Sequence, residues 1–192
     1  MINWLFAFFI DQGHNPSGPN TGAEGNGLRE QDVNFIVGVY LADLLRADPR
    51  FEVRLSRNSP DEILGTSNAS SLAARVRMAN RLACRLFYQH PLQFQVNPAS
   101  TARGLCFSAD TQSYWLAQHV LIGIVERVGT KDNGVRLNPS LFVLRRTSMP
   151  AILVELAYLS NAEDAQKLRD DPYGFAQGIY NGLLSYFGFA PL

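Results

Sequence analysis

The chain has 192 residues, of which 46% are hydrophobic, and this composition predicts a folded domain with a sizeable core rather than a disordered segment. It carries 17 basic and 17 acidic residues, and the zero net charge argues against nucleic acid as the main partner, because phosphate binding usually requires a basic excess. No apolar run is long enough to span a membrane, so we expect no membrane span. The length suits one domain over residues 1–192, and we expect a monomer.

The first predicted element is a buried strand that opens into a polar loop. The apolar run from Trp4 to Ile10 stops at Asp11, and His14 follows a glycine. In open α/β sheets, sites form at the carboxyl ends of strands, so His14 is a candidate metal ligand or base. The alternative is a hydrogen-bonded loop residue. The run has no preceding Lys or Arg and no small-residue cleavage site, so it does not read as a signal peptide.

A long glycine-rich loop, from Asn15 to Leu28, precedes the first predicted helix, from Arg29 to Ala47. Val33 and Val37 belong to an apolar stripe at helical spacing on this helix. Glu30 lies three and seven residues before them, so it points the same way as the buried stripe. A carboxylate that complements the helix dipole is the alternative, but that role does not require an inward-facing side chain.

The middle of the chain repeats the pattern of a strand followed by a histidine. A second strand is predicted over Phe51–Ser56 and a helix over Ser71–Leu82. The next strand candidate runs from Cys84 to Gln89 and is followed by His90. His90 is therefore a second histidine predicted at the end of a strand.

Strands and helices continue to alternate in the second half of the chain. The predicted strands are Leu105–Phe107, Leu141–Leu144 and Ala151–Leu156; the predicted helices are Gln112–Val128, one capped by Asn161, and Pro172–Phe187. This alternation predicts an α/β sandwich with a mostly parallel sheet in a single domain.

Glu155 lies inside the last apolar run. A glutamate in such a run is at least partly buried, and glutamate is almost never fully buried unless it is paired or coordinated. One interpretation is a buried ion pair with an arginine such as Arg145 or Arg146. The other is a functional carboxylate.

These residues together indicate a zinc site. His14, Glu30 and His90 lie at strand ends or a helix start, where loops converge. Two histidines and one glutamate form a common catalytic zinc set that leaves a fourth position open for water. Glu155 could then serve as the general base.

Several motifs resemble the zinc-dependent N-acetylmuramoyl-L-alanine amidases of the amidase-3 type. They are Asp11-Gln12-Gly13-His14, Gly27-Leu28-Arg29-Glu30, and Pro150 to Leu156 followed by Leu159-Ser160-Asn161, with Leu55-Ser56-Arg57, Arg75 and Ala79-Asn80 between them. The motifs occur in family order and cover nearly the whole chain.

The resemblance implies a fold, a reaction and a set of residues. The fold is a mixed six-stranded sheet flanked by helices. His14, Glu30 and His90 would bind Zn²⁺, and Glu155 would be catalytic. The reaction would be hydrolysis of the amide between N-acetylmuramic acid and L-alanine in peptidoglycan, in the cell wall or outside the cell, by an autolysin or a phage endolysin.

The chain departs from this family pattern between Ala83 and Phe107. The family has an aspartate and then a strand ending in Ser-Ile-His-Ala-Asn, whereas here His90 has different neighbours. Two alternative functions therefore stay open: a catalytically impaired peptidoglycan-binding domain of the same fold, and a zinc peptidase that cuts the stem peptide.

Overall fold

The structure of the protein, a computed structural model, describes residues 6–83, 89–95 and 102–192; for residues 82, 83 and 89–95 it describes the backbone alone. The strands are β1 (Phe6–Asp11), β2 (Glu24–Gly25), β3 (Leu28–Arg29), β4 (Phe51–Leu55), β5 (Gln89–Gln95), β6 (Ala102–Cys106), β7 (Asp132–Leu137) and β8 (Ile152–Glu155). The helices are α1 (Glu30–Ala47), α2 (Asn68–Ala83), α3 (Gln112–Val128), α4 (Phe142–Arg146), α5 (Ala162–Asp170) and α6 (Pro172–Phe187). The predicted α/β fold is confirmed.

The main sheet within the described residues has six strands, in the order β4-β1-β5-β8-β6-β7. Strand β1 runs parallel to β4 and β5, and β5 runs parallel to β8. Strand β6 is antiparallel to β8 and parallel to β7. The carboxyl ends of β1, β5 and β8 therefore meet at one edge of the sheet, which is where the predicted site residues of β1 and β8 lie.

Helices cover both faces of the sheet. On one face, α1, α3 and α6 pack against β1 and β8 through a large apolar cluster that includes Phe8, Ile10, Val37, Leu116, Val154 and Ile179. On the other face, α2 and α4 pack against β8 and β6 through a smaller cluster that includes Val76, Leu105, Val143, Leu144 and Leu153. Because successive residues of a strand point to opposite faces, Val154 and Leu153 belong to different clusters.

Helices α3 and α6 approach each other closely through glycines. A Cβ atom added at Gly178 would lie 2.7 Å from the Cα of Ile124 and 2.8 Å from the carbonyl oxygen of Gly123. A Cβ at Gly182 would lie 2.5 Å from the Cα of Val120. The absence of side chains at Gly178 and Gly182 therefore sets the separation of the two helices.

Two predicted strands differ from the structure. Residues Leu141–Leu144 were predicted as a strand, but α4 is a short helix, because a short apolar run fits a buried helical turn as well as a strand. The strand predicted over Cys84–Gln89 lies, except for Gln89, outside the described residues, and β5 begins at Gln89. His90 is thus the second residue of β5, paired with Phe8, while Gln93 pairs with Asp11.

None of the helices in the described part of the chain combines the length and the apolar character needed to cross a bilayer.

Candidate metal centre and catalytic site

The loop that carries His14 is fixed to the end of β1. Gly13 has a φ of +73°, a left-handed conformation that favours glycine, and its N–H donates to the Asp11 carboxylate at 3.1 Å. Asp11 also forms a buried ion pair with Arg75 of α2. These contacts hold the loop that carries His14 against the end of β1.

The ring of His14 is oriented by the backbone of its own loop. Its Nδ1 lies 3.2 Å from the carbonyl oxygen of Asn20, and a carbonyl can only accept a hydrogen bond. Nδ1 therefore carries a proton, which leaves Nε2 as the nitrogen that can offer a lone pair. The ring is only slightly exposed, with 17% of the side chain accessible.

Glu30 faces inward, as the helical spacing predicted. It is the first residue of α1 and only 2% exposed. Its Oε1 lies 3.2 Å from Nε2 of His14, and its Oε2 accepts the N–H of Ala23 at 2.7 Å. The loop fits closely over this side chain, because a Cβ at Gly22 would lie 2.6 Å from the Cβ of Glu30. A role limited to the helix dipole does not account for these contacts.

The facing atoms of His14 and Glu30 fit a shared cation. With Nδ1 protonated, a neutral imidazole presents the lone pair of Nε2 to a carboxylate oxygen, and two acceptors repel unless a proton or a cation lies between them. Bonds of about 2.0–2.1 Å to a tetrahedral Zn²⁺ place two ligand atoms about 3.3 Å apart. The observed separation of 3.2 Å is close to that value, so the donor set and its spacing fit zinc.

Arg57, which follows β4, holds the first turn of α1 in place. Arg57 is buried, and its Nη2 donates to the carbonyl oxygen of Gln31 at 2.8 Å. Its guanidinium also lies 4.9 Å from the centre of the Phe35 ring. Burial and then the charge of Arg75 lower the pKa of Arg57 to about 10, so it stays charged at neutral pH. These contacts are consistent with a structural role that keeps Glu30 in position.

Glu155 is the last residue of β8 and is 4% exposed. Its Oε2 lies 3.5 Å from Nη1 of Arg103 and accepts a hydrogen bond from the Tyr158 hydroxyl at 3.4 Å. Burial and the nearby Glu155 charge raise the pKa of Tyr158, so this hydroxyl stays a donor. The alternative partners Arg145 and Arg146 are exposed instead. Sequence reasoning missed Arg103, which the antiparallel pairing of β6 with β8 brings opposite Glu155.

A cleft of about 160 Å³ opens beside His14. Its walls are mostly apolar and come from the loop after β1, from α2, from α4 with the residue before it, and from β8: His14, Asn20, Leu72, Leu141, Phe142, Val143 and Leu153. Because Leu153 lies two residues before Glu155 in β8, both side chains point to the same face of the sheet. The cleft therefore lies on the face toward which Glu155 points.

The His90 side chain lies outside the described residues, so its role as a ligand stays a prediction. Its backbone lies inside β5 rather than after a strand end, which differs from the placement on which that prediction was based. Within the residues that the structure describes, no group of three or more His, Cys, Asp or Glu residues could hold a metal ion.

Comparisons with known proteins identify the family of the chain. The family model described as N-acetylmuramoyl-L-alanine amidase, Amidase_3, matches residues 8–185, and the chain belongs to this family. It is 31% identical over 188 residues to the N-acetylmuramoyl-L-alanine amidase LytC of Bacillus subtilis, covering 93% of this chain but only 35% of LytC.

Two further relatives match over most of their own length. The uncharacterized protein YqiI of Bacillus subtilis is 32% identical over 184 residues, covering 93% of this chain and 84% of YqiI. The crystal structure of an N-acetylmuramoyl-L-alanine amidase from Clostridium difficile 630 superimposes with a TM-score of 0.82 at 29% identity, covering 96% of this chain and 97% of that one.

Proposed function

We propose that the protein is a zinc-dependent N-acetylmuramoyl-L-alanine amidase that acts on peptidoglycan in the cell wall. The observation that carries the proposal is the pairing of His14 Nε2 with Glu30 Oε1 at 3.2 Å, with the other ring nitrogen held by a backbone carbonyl. Membership of the amidase family supports the substrate class. The bond cleaved is the amide between the lactyl group of N-acetylmuramic acid and L-alanine.

His14 and Glu30 would hold the zinc ion, and His90 remains the sequence-based candidate for the third protein ligand. Zinc, when bound, supplies a Lewis acid that polarises the amide carbonyl and makes water more acidic. The Asn20 carbonyl keeps His14 in the tautomer that offers Nε2, and the Ala23 amide fixes Glu30. Chelator competition on the parent and on His90→Ala tests the third ligand, since equal zinc affinity would exclude His90.

Glu155 is the proposed general base. Its carboxylate takes a proton from the attacking water and delivers it to the nitrogen of the departing alanine, so the products are a lactyl carboxylate and a free amine. The Tyr158 hydroxyl and the Arg103 guanidinium, both on Oε2, hold the carboxylate in one orientation. Burial of the group limits competition from bulk water for the same proton.

The apolar cleft beside His14 suits the part of the substrate around the scissile bond. The lactyl group and L-alanine each carry a methyl group, and Leu72, Phe142 and Leu153 offer apolar surface within the cleft. The carboxyl edge of the sheet then offers the charged groups to the amide itself.

The test is digestion of purified peptidoglycan, followed by mass analysis of the soluble products. An amidase releases peptides with a free L-alanine amino terminus and leaves glycan strands with intact lactyl carboxylates. Cleavage between two amino acids would instead identify a stem-peptide zinc peptidase. Binding to the wall without any product would identify a catalytically impaired wall-binding domain.

A further inference from the structure

Acidic residues are absent from two long segments of this neutral chain. Residues 63–109 contain five arginines and no Asp or Glu, and residues 133–154 contain three arginines and no Asp or Glu. The first segment includes α2 and the second includes α4, and these two helices cover the same face of the sheet. The charge of the protein is therefore unevenly distributed although its net charge is zero.

Four arginines of these helices form one exposed basic surface. Arg77 and Arg81 are one helical turn apart on α2, and Arg145 and Arg146 end α4. Asn80 connects the two helices, because its amide donates to the carbonyl oxygen of Arg146 at 3.0 Å. Among the described residues, none of the four arginines forms an ion pair, whereas exposed Arg46 and Arg54 pair with Asp43 and Glu52. We call these four residues the arginine surface.

A groove of about 290 Å³ continues from the arginine surface. Its lining combines Arg145 with four hydroxyl side chains and with the partly exposed apolar groups of Phe107 and Met149; the hydroxyl residues are Ser108, Thr111, Ser113 and Thr147. Arginine is suited to phosphate oxygens. Ser and Thr hydroxyls both donate and accept hydrogen bonds, so they can pair with the hydroxyls of a polyol while Phe107 and Met149 contact its carbon chain. The other end of α4, at Phe142 and Val143, lines the cleft beside His14.

We propose that the arginine surface and its groove bind a polyol-phosphate polymer attached to the cell wall. Phosphodiester groups lie along the four arginines and the polyol lies in the groove. Because α4 connects this surface to the cleft, a wall strand that carries the polymer is held with its muramyl peptides close to His14. The interaction goes beyond the hydrolytic reaction and does not depend on it.

The experiment compares co-sedimentation with insoluble wall fragments that carry the polymer and with fragments stripped of it by hydrofluoric acid. The test variant changes Arg77, Arg81, Arg145 and Arg146 to glutamine; the control variant changes Arg46 and Arg54 to glutamine. We expect the parent and the control to bind intact walls roughly 10-fold or more tightly than stripped walls, with affinity that falls steeply with salt. The test variant should bind both preparations equally weakly.

A parent protein that binds intact and stripped walls equally, or a test variant that keeps the preference of the parent, would overturn the proposal. Hydrolysis of a soluble N-acetylmuramoyl peptide separates this result from the reaction itself. The test variant should cleave the soluble substrate at the parent rate, which also shows that it is folded. If the parent fails to cleave the soluble peptide, the proposed reaction is wrong. The binding comparison then still tests whether the arginine surface binds the polymer.

Discussion

Replacing Glu155 with glutamine changes one proton-accepting carboxylate into an amide of nearly the same shape. The amide oxygen can still accept the Tyr158 hydroxyl, which lies 3.4 Å from Oε2, so little packing is lost. The amide has no basic oxygen for the proton of an attacking water. We therefore expect the variant to fold while losing most of its hydrolytic activity.

The expected loss of activity and the expected loss of stability can each be estimated. A positioned general base contributes about 10²–10⁴-fold to the rate, so activity should fall by that factor. The stability cost comes from Arg103, whose guanidinium loses its charged partner at 3.5 Å. Breaking a fully buried pair costs about 3–5 kcal/mol, but Arg103 keeps 21% of its side chain exposed and water can solvate it. A loss of about 1–2 kcal/mol is the expected result.

The assay measures release of peptide from N-acetylmuramoyl peptide, together with zinc content and a urea unfolding curve for each protein. Glu163→Gln is the matched control, because Glu163 is an exposed glutamate paired with Lys167 on α5. The control should keep full activity. A folded Glu155→Gln protein with full activity would show that the base is another group, and loss of zinc from that variant would make Glu155 a ligand instead.

The remaining predictions concern stability and the gene. Hydrogen bonds from Arg50 lower the pKa of buried Asp48 from 3.8 to about 2. The ionised Asp48 therefore contributes about 2 kcal/mol to the free energy of unfolding above pH 4, and this contribution is lost as pH falls toward 2. Urea midpoints of the parent should therefore fall over this range more than those of Asp48→Asn, and parallel pH profiles would contradict the assignment. Gly178→Ala should destabilise the protein by about 1–3 kcal/mol, because a Cβ there would lie 2.7 Å from a backbone atom of α3; an unchanged thermal midpoint would refute that contact. The segment Cys84 to Phe94 can be encoded by codons whose nucleotides also have a second reading. In the reading frame shifted by one nucleotide they encode Ala-Asp-Phe-Phe-Ile-Ser-Ile-His-Phe-Asn-Ser, which contains the aspartate and the Ser-Ile-His of the family pattern. We predict that the coding DNA contains this reading. If it does, the histidine of that reading replaces His90 as the candidate for the third ligand; a nucleotide sequence that lacks the reading would contradict the prediction and leave His90 as the candidate.

Elements with a strong local signal were predictable. Helix α3 was expected over Gln112–Val128 and α6 over Pro172–Phe187, and both have these bounds in the structure. Their apolar spacing is helical, and α6 begins with proline, a residue favoured in the first turn. Asn161 caps α5 as expected, because its side chain accepts the N–H groups of Glu163 and Asp164.

Elements whose structure depends on distant contacts were not predictable. The apolar run Cys84–Gln89 predicts a strand, whereas β5 runs from Gln89 to Gln95, and its place in the sheet depends on pairing with β1 and β8. The site shows the same division. The inward orientation of Glu30 followed from helical spacing, whereas its contact with His14 and the pairing of Arg103 with Glu155 depend on how the loop folds and on the register of β6 with β8.

The most direct test of the central claim is zinc affinity, measured by competition with a chelator, for the parent, His14→Ala and Glu30→Gln. We expect about one zinc ion per chain in the parent and much weaker binding in each variant, because each variant removes one of the two atoms that face each other at 3.2 Å. Arg54→Gln, a change at an exposed residue of β4 that pairs with Glu52, should bind zinc as the parent does. A folded parent that binds no zinc, or variants that bind it as tightly as the parent, would contradict a zinc site at His14 and Glu30.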